Sequence, residues 1–159
     1  MSSRLAGVAL LAVLAGCGFQ LQGAATTPDE MQRTYIATND EYSPFYRELR
    51  RNLIAAGVEV VDSPDNATAT LTILDDITDQ RVLSVSARNV PTEFEVYYTV
   101  RYTITSGERS LLEPQELTLT RDYTYDETLV LGKAREEEVM RNSLVSDLVR
   151  ILMKQISTI

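Results

Sequence analysis

The cleanest pattern in the chain runs from Glu93 to Thr105. Phe94, Val96, Tyr98, Val100, Tyr102 and Ile104 fall on one face, and Glu93, Glu95, Tyr97, Thr99, Arg101 and Thr103 fall on the other. A period of two is the pattern of a half-buried strand. The same alternation places Leu71 and Ile73 among Thr70 and Thr72 and resumes at 82–87, with the acidic stretch Asp75-Asp76-Ile77-Thr78-Asp79 between. This predicts one long strand with a bulge or bend. Ser106-Gly107-Glu108-Arg109 turns the chain, and Leu117, Leu119, Tyr123 and Tyr125 belong to a last strand. Connections this tight favour an antiparallel meander.

Two stretches change to helical spacing. Ser43 followed by Pro44 is a strong helix start, a capping hydroxyl with proline at the first helical position. Phe45, Leu49 and Leu53, with Tyr46 and Ala56, then make an apolar stripe, while Arg47, Arg50 and Arg51 point elsewhere. Gly57 supplies the stop. A first strand is expected at 31–38 and another at 58–61, so strand, helix and strand form a right-handed βαβ unit. The longest helix is expected from 129 to 157, with Met140, Leu144, Leu148, Ile151, Leu152 and Ile156 on its core face. Glu136, Glu137 and Glu138 near its start and Lys154 near its end suit the helix dipole. The expected fold class is α+β: a two-layer sandwich of one mostly antiparallel sheet with two helices on one face, beginning with the βαβ unit. The other sheet face is polar, and it includes Tyr97.

The first 30 residues follow a different logic. Arg4, an apolar run over 5–13, and Leu14-Ala15-Gly16-Cys17 have the layout of a secretory signal ending at a small-residue cleavage site. Nine apolar residues are too few to span a bilayer, which takes about 20. A cysteine after Leu-Ala-Gly resembles a bacterial lipobox, in which the thiol accepts diacylglycerol and the new N-terminus is acylated. An ordinary secretory signal is the competing reading. The expected organisation is a signal peptide at 1–16, a lipidated tether at 17–30 containing Gly23, Thr26, Thr27 and Pro28, and a single α/β domain at 31–159. Gly18, where aspartate favours inner-membrane retention in many Gram-negative bacteria, leans toward the periplasmic side of the outer membrane.

Composition removes most other functions. The formal charge is −8, and it becomes −9 once Arg4 is cleaved away and the α-amine acylated. Nucleic acid is excluded as a partner for want of a basic patch, and membrane attachment must come from acyl chains rather than a polybasic surface. Cys17 is the sole cysteine, and the chain has no histidine, so histidine-based acid–base pairs and metal sites are impossible. Nucleophile-elbow, P-loop and dinucleotide motifs are absent. Asp75, Asp76 and Asp79 could ligate calcium but lack the glycine and terminal glutamate of an EF-hand. A carboxylate-pair glycosidase has no identifiable pair. Two cations stand out by position: Arg88 in the loop between two long strands, and Lys133, after Gly132, where the last helix begins. A cation beside free helix amides suits a phosphate, although two solvated surface charges would look the same.

The segment Cys17-Gly18-Phe19-Gln20-Leu21-Gln22-Gly23 is similar to the Cys-Gly-aromatic-His-Leu-Arg-Gly opening of the LPS-assembly lipoprotein family (LptE). The resemblance continues through the helix at 47–57, Val58-Glu59-Val60-Val61, the Arg88-Asn89 loop and the terminal helix. Gln20 and Gln22 depart from the family's frequent histidine and arginine, which weakens any role for positive charge near the lipid. The resemblance implies a non-catalytic two-layer domain that plugs the LPS-assembly β-barrel (LptD), assists its assembly and contacts lipopolysaccharide. On that reading Cys17 carries N-acyl and S-diacylglycerol groups, no other cofactor is expected, Arg88 and Lys133 meet lipopolysaccharide phosphates, and Asn89 and Tyr97 meet the barrel. A scaffold lipoprotein of another envelope complex is the alternative.

Overall fold

A computed structural model describes residues 27–124 and 130–159, the stretch 130–134 by backbone alone. Cys17, the segment ahead of it, most of the tether and Tyr125 lie outside the described residues, as does the side chain of Lys133. The elements are β1 (Arg33–Ala37), α1 (Pro44–Ala55), β2 (Glu59–Val61), β3 (Ala69–Val85), β4 (Pro91–Ser106), β5 (Arg109–Thr124) and α2 (Val130–Ile156). They build one five-stranded sheet in the order β2-β1-β3-β4-β5. Strand β1 is parallel to both neighbours, while β3, β4 and β5 form the expected antiparallel meander. The sheet is therefore mixed, with the antiparallel part far the longer.

Helix α1 starts where its caps dictate. The Ser43 hydroxyl accepts from the Tyr46 amide at 3.0 Å, and Pro44 occupies the first turn. Gly57 closes it at φ +89°, a left-handed conformation that an L side chain adopts only under strain. Its amide reaches the Ile54 carbonyl at 3.0 Å, and the Val58 amide reaches that of Leu53 at 3.0 Å. Ser43 is buried, so Ser43→Ala orphans a helix amide away from water. We expect it to cost about 1 kcal/mol, read as a lower urea midpoint at unchanged slope.

The core lies between the sheet and the two helices. Phe45, Leu49 and Leu53 of α1 meet Leu71, Ile73, Val96, Val100, Tyr102 and Ile104 of the sheet. Helix α2 packs on α1, β4 and β5. Its buried stripe is two rows wide, Leu144, Leu148, Leu152 and Ile156 beside Val145, Val149 and Met153. The expected stripe held Met140 and Ile151, which are only half-buried. The helix touches a sheet on one side and a helix on the other, so the row on 145, 149 and 153 is covered as well.

Two strand boundaries also differ from expectation. Met31 lies in a 3-10 turn, Asp29–Met31, rather than in β1, and the Thr34 hydroxyl donates to its carbonyl at 2.8 Å. Strand β5 starts at Arg109 instead of near Leu117. The interruption at Glu113-Pro114 is absorbed as a bulge, because Tyr102 pairs with Gln115 and Ile104 with Leu112. Proline is tolerated there because β5 is an edge strand whose missing amide need not reach a neighbour.

Strand β3 carries the predicted irregularity, a register shift between Ile73 and Asp75. Its 17 residues span about 55 Å, yet only Ala69, Leu71 and Ile73 are buried. The β3–β4 hairpin thus outruns the core. The buried core fills the base, where β4 turns into β5, and β3 contributes no buried residue toward the far end, where it turns into β4.

Candidate functional site

The loop at the far end is shaped by its own polar atoms. The Ser86 amide donates to the Val90 carbonyl at 2.8 Å, and the Asn89 amide donates to the Ser86 carbonyl at 2.9 Å. The Ser86 hydroxyl accepts from the Val90 amide at 3.2 Å. Asn89 sits at φ 61°, which asparagine tolerates better than most residues. This turn leaves Arg88 exposed.

The start of α2 approaches the same end. Strand β5 finishes at Thr124, opposite Glu93, and Val130 opens the helix. The Arg141 guanidinium reaches the Thr78 hydroxyl on β3, while the Tyr102 phenol near the base donates to Gln155. Helix α2 therefore runs from far end to base. Lys133 precedes Arg141 by two helical turns, so its backbone lies about 12 Å further toward the far end. Arg88 and Lys133, distant in sequence, belong to one end of the molecule.

Between these cations and the core, the helix-facing side of the sheet becomes polar. The Tyr98 phenol donates to Asp76 Oδ1 at 2.6 Å. Burial, then the carboxylate, push this phenol far above its ordinary range. The other carboxylate oxygen, Asp76 Oδ2, is buried with no hydrogen-bond partner among the described residues. Burial alone pushes Tyr102 up to about 12. The Tyr123 phenol donates to Gln80 at 2.9 Å. Arg121 of β5 bridges to Asp147 of α2 at 2.9 Å, and Arg150 completes the pair at 3.0 Å. The Arg150 bond, with help from Arg121, holds the Asp147 carboxyl below the usual range.

Among the described residues, no helix packs on the opposite face of the sheet. Its rows follow from the register: Tyr35, Thr70 and Thr105; Ala37, Thr72 and Thr103; Asp75, Arg101 and Glu116; Ile77, Thr99 and Thr118; Asp79, Tyr97 and Thr120; Arg81, Glu95 and Asp122. Threonine hydroxyls dominate, with Thr99 and Thr118 bonded at 2.8 Å. Arg101 pairs with Asp75 at 2.6 Å, and Arg81 pairs with Glu95. Tyr97 lies on this face as expected and is half-buried. It stands six residues into β4, about 20 Å from the loop that holds Asn89, so the two partner candidates do not form one contact point.

The acidic stretch is arranged for structure. Asp75 faces the open side in an ion pair, Asp76 faces the helices on Tyr98, and Asp79 accepts from the Gln80 amide at 2.8 Å. Consecutive strand positions put Asp75 and Asp76 on opposite faces, which prevents them from converging on a calcium ion. No group of three carboxylates able to hold a metal occurs among the described residues.

One feature escaped the sequence reading. Val82, Leu83 and Val85 are exposed near the far end. A signal was present: the alternation breaks there, leaving apolar residues at consecutive positions 82 and 83.

Comparison with known proteins places this architecture. The LPS-assembly lipoprotein LptE of Yersinia pestis is 28% identical over 156 residues, covering 98% of this chain and 74% of its own. The solution structure of lipoprotein B from Nitrosomonas europaea superposes with TM-score 0.74 at 28% identity, over 88% of this chain and 90% of that one. Rare lipoprotein B from Shewanella oneidensis gives TM-score 0.68 at 25% identity, covering 79% and 95%. The profile of the lipopolysaccharide-assembly family LptE matches residues 31–156, from buried Met31 to buried Ile156. A match that begins and ends with the core includes both the open face and the far end, and the chain belongs to the LptE family.

Proposed function

We propose that this lipopolysaccharide-assembly protein is a non-catalytic, lipid-anchored subunit that seats inside the LPS-assembly barrel (LptD) and plugs it. In this role it assists barrel assembly and presents its far end to lipopolysaccharide on the way to the cell surface. The anchor is Cys17, bearing N-acyl and S-diacylglycerol groups, and it holds the domain at the periplasmic side of the outer membrane.

The observation that carries this reading is the open face. A sheet side of threonines, two tyrosines, two internal ion pairs and further exposed carboxylates is already satisfied in water, yet it offers hydroxyls that can exchange water for a polar protein wall. Apolar area there is small, so hydrogen bonds and shape must supply the specificity. The anchor end also fits. Glu30, the last residue of the tether, pairs with Arg109 at 2.8 Å, which ties the entry to the domain to the base. Cys17 and Thr27 are ten positions apart in the chain, a reach of at most about 35 Å, so the lipid tethers the base and leaves the far end to project.

Site-specific photocrosslinking tests the orientation. A photoreactive residue at Tyr97 or Asn89 is expected to trap the barrel, and one at Ile54, exposed on the outer side of α1, is expected to trap little. Adducts from Ile54 alone would reverse the assignment of faces.

A further inference from the structure

We infer that the apolar end of the β3–β4 hairpin is a docking surface for acyl chains of the same anionic amphiphile whose phosphates Arg88 would meet; the inference rests on the lipopolysaccharide reading above. Val82, Leu83 and Val85 are 47%, 45% and 52% exposed, three large aliphatic side chains within four residues. Val82 stands opposite Phe94. Phe94 stacks on Tyr123 with ring centroids 5.5 Å apart, so apolar surface continues across three strands. The register shifts on either side of Ser84 interrupt the alternation that would otherwise divide these residues between faces. Single exposed aliphatic residues need no explanation, but a contiguous group at the end of a projecting hairpin does.

Charge selects the occupant. On a chain of net charge −8, Arg81 and Arg88 bracket the three aliphatic residues. Arg81 is held by Glu95, whereas Arg88 is exposed and makes no ion pair with any described residue. A cation unpaired among the described residues, at the rim of an apolar patch, matches an amphiphile with an anionic head and a hydrocarbon tail. A bilayer plane would instead call for a wide basic surface, and the described residues of this hairpin end supply only Arg88 beside the already paired Arg81.

The test uses the full chain, purified with its anchor in nonionic detergent. It is titrated with deep-rough lipopolysaccharide, and with the same material stripped of acyl chains by alkali so that phosphates and sugars remain. The wild type is expected to bind the deacylated form at least about tenfold more weakly, the effect of about two buried methylenes. A Val82→Ser, Leu83→Ser, Val85→Ser variant is expected to lose a similar factor for the acylated form only, with circular dichroism and barrel capture unchanged. Equal wild-type affinity for both forms overturns the inference. So does full binding of the acylated form by the folded triple variant. Loss of barrel capture with lipopolysaccharide binding intact assigns the patch to a protein contact and likewise overturns it. Arg88→Asp separates the two readings: if it alters neither titration while the triple variant still discriminates, the phosphate assignment fails and the acyl surface stands. A photoreactive residue at Leu83 gives a readout that needs no destabilising change. A lipopolysaccharide adduct is expected, and adducts to the barrel alone would refute the proposal.

Discussion

Charge reversal at both far-end cations, Arg88→Asp with Lys133→Asp, is expected to weaken lipopolysaccharide capture by about tens- to thousands-fold. A charge-assisted hydrogen bond contributes about 1.5–3 kcal/mol, and exposure at Arg88 places that contact at the lower end through solvent screening. The anionic lipid meets a chain of net charge −8, so general attraction cannot draw it in. Individually placed cations must offset the repulsion. Arg88 can offer a bidentate fork from a loop, while Lys133 stands in the first turn of α2, where free amides favour an anion. Folding should be unaffected, because Arg88 supports no other described contact and the packed half of α2 begins at Leu144. Titration of the folded double variant checks this. Wild-type affinity would reduce both residues to solvated surface charges.

Cys17→Ala is expected to abolish lipid anchoring outright. Without the thiol no diacylglycerol can be attached, and processing at Gly16 should stall. Among the described residues no helix is long and apolar enough to cross a membrane, and the apolar run at 5–13 is about half the length required. A single acyl chain binds membranes only marginally, at about 10⁴ M⁻¹, so stable anchoring takes two or more. Mass spectrometry of the wild type should find a mature N-terminus at Cys17 carrying acyl mass, and fractionation should find the variant as unprocessed precursor. A cleaved, unmodified and released wild-type chain would contradict the assignment.

The features legible in advance were those whose physics is local. Ser43-Pro44 and Gly57 bound α1 because capping and left-handed closure act within one turn, and the structure places both as read. The alternation of β4 survives because its helix-facing side is buried from Val96 to Ile104, so a shift by one residue would expose all of it. The bulge after Ile73 was legible from the acidic interruption. The start of β5 was not, since Glu113-Pro114 reads as a break and only an edge position makes that break tolerable.

The candidate site divides in the same way. Arg88, Lys133 and Tyr97 could be singled out by residue type and by position in loop, helix start or strand. Their grouping could not. Arg88 and Lys133 share one end only because β4 and β5 run the length of the sheet and back before α2 begins, while Tyr97 stays on the opposite side of that sheet from the helices. The exposure of Val82, Leu83 and Val85 depends on how far the packed core extends along the hairpin, which no window of sequence records.

By itself, then, the amino-acid order determined the limits of α1 and the faces of the central strand and singled out the candidates for lipid and anion chemistry, because capping, pleating and side-chain chemistry are settled over a few neighbouring residues. The tertiary structure decided that β1 lies between β2 and β3, that α2 buries two rows, and that the far end gathers cations and apolar surface. Those outcomes depend on which distant backbones pair and which apolar faces cover each other, and that free energy is distributed over the whole fold.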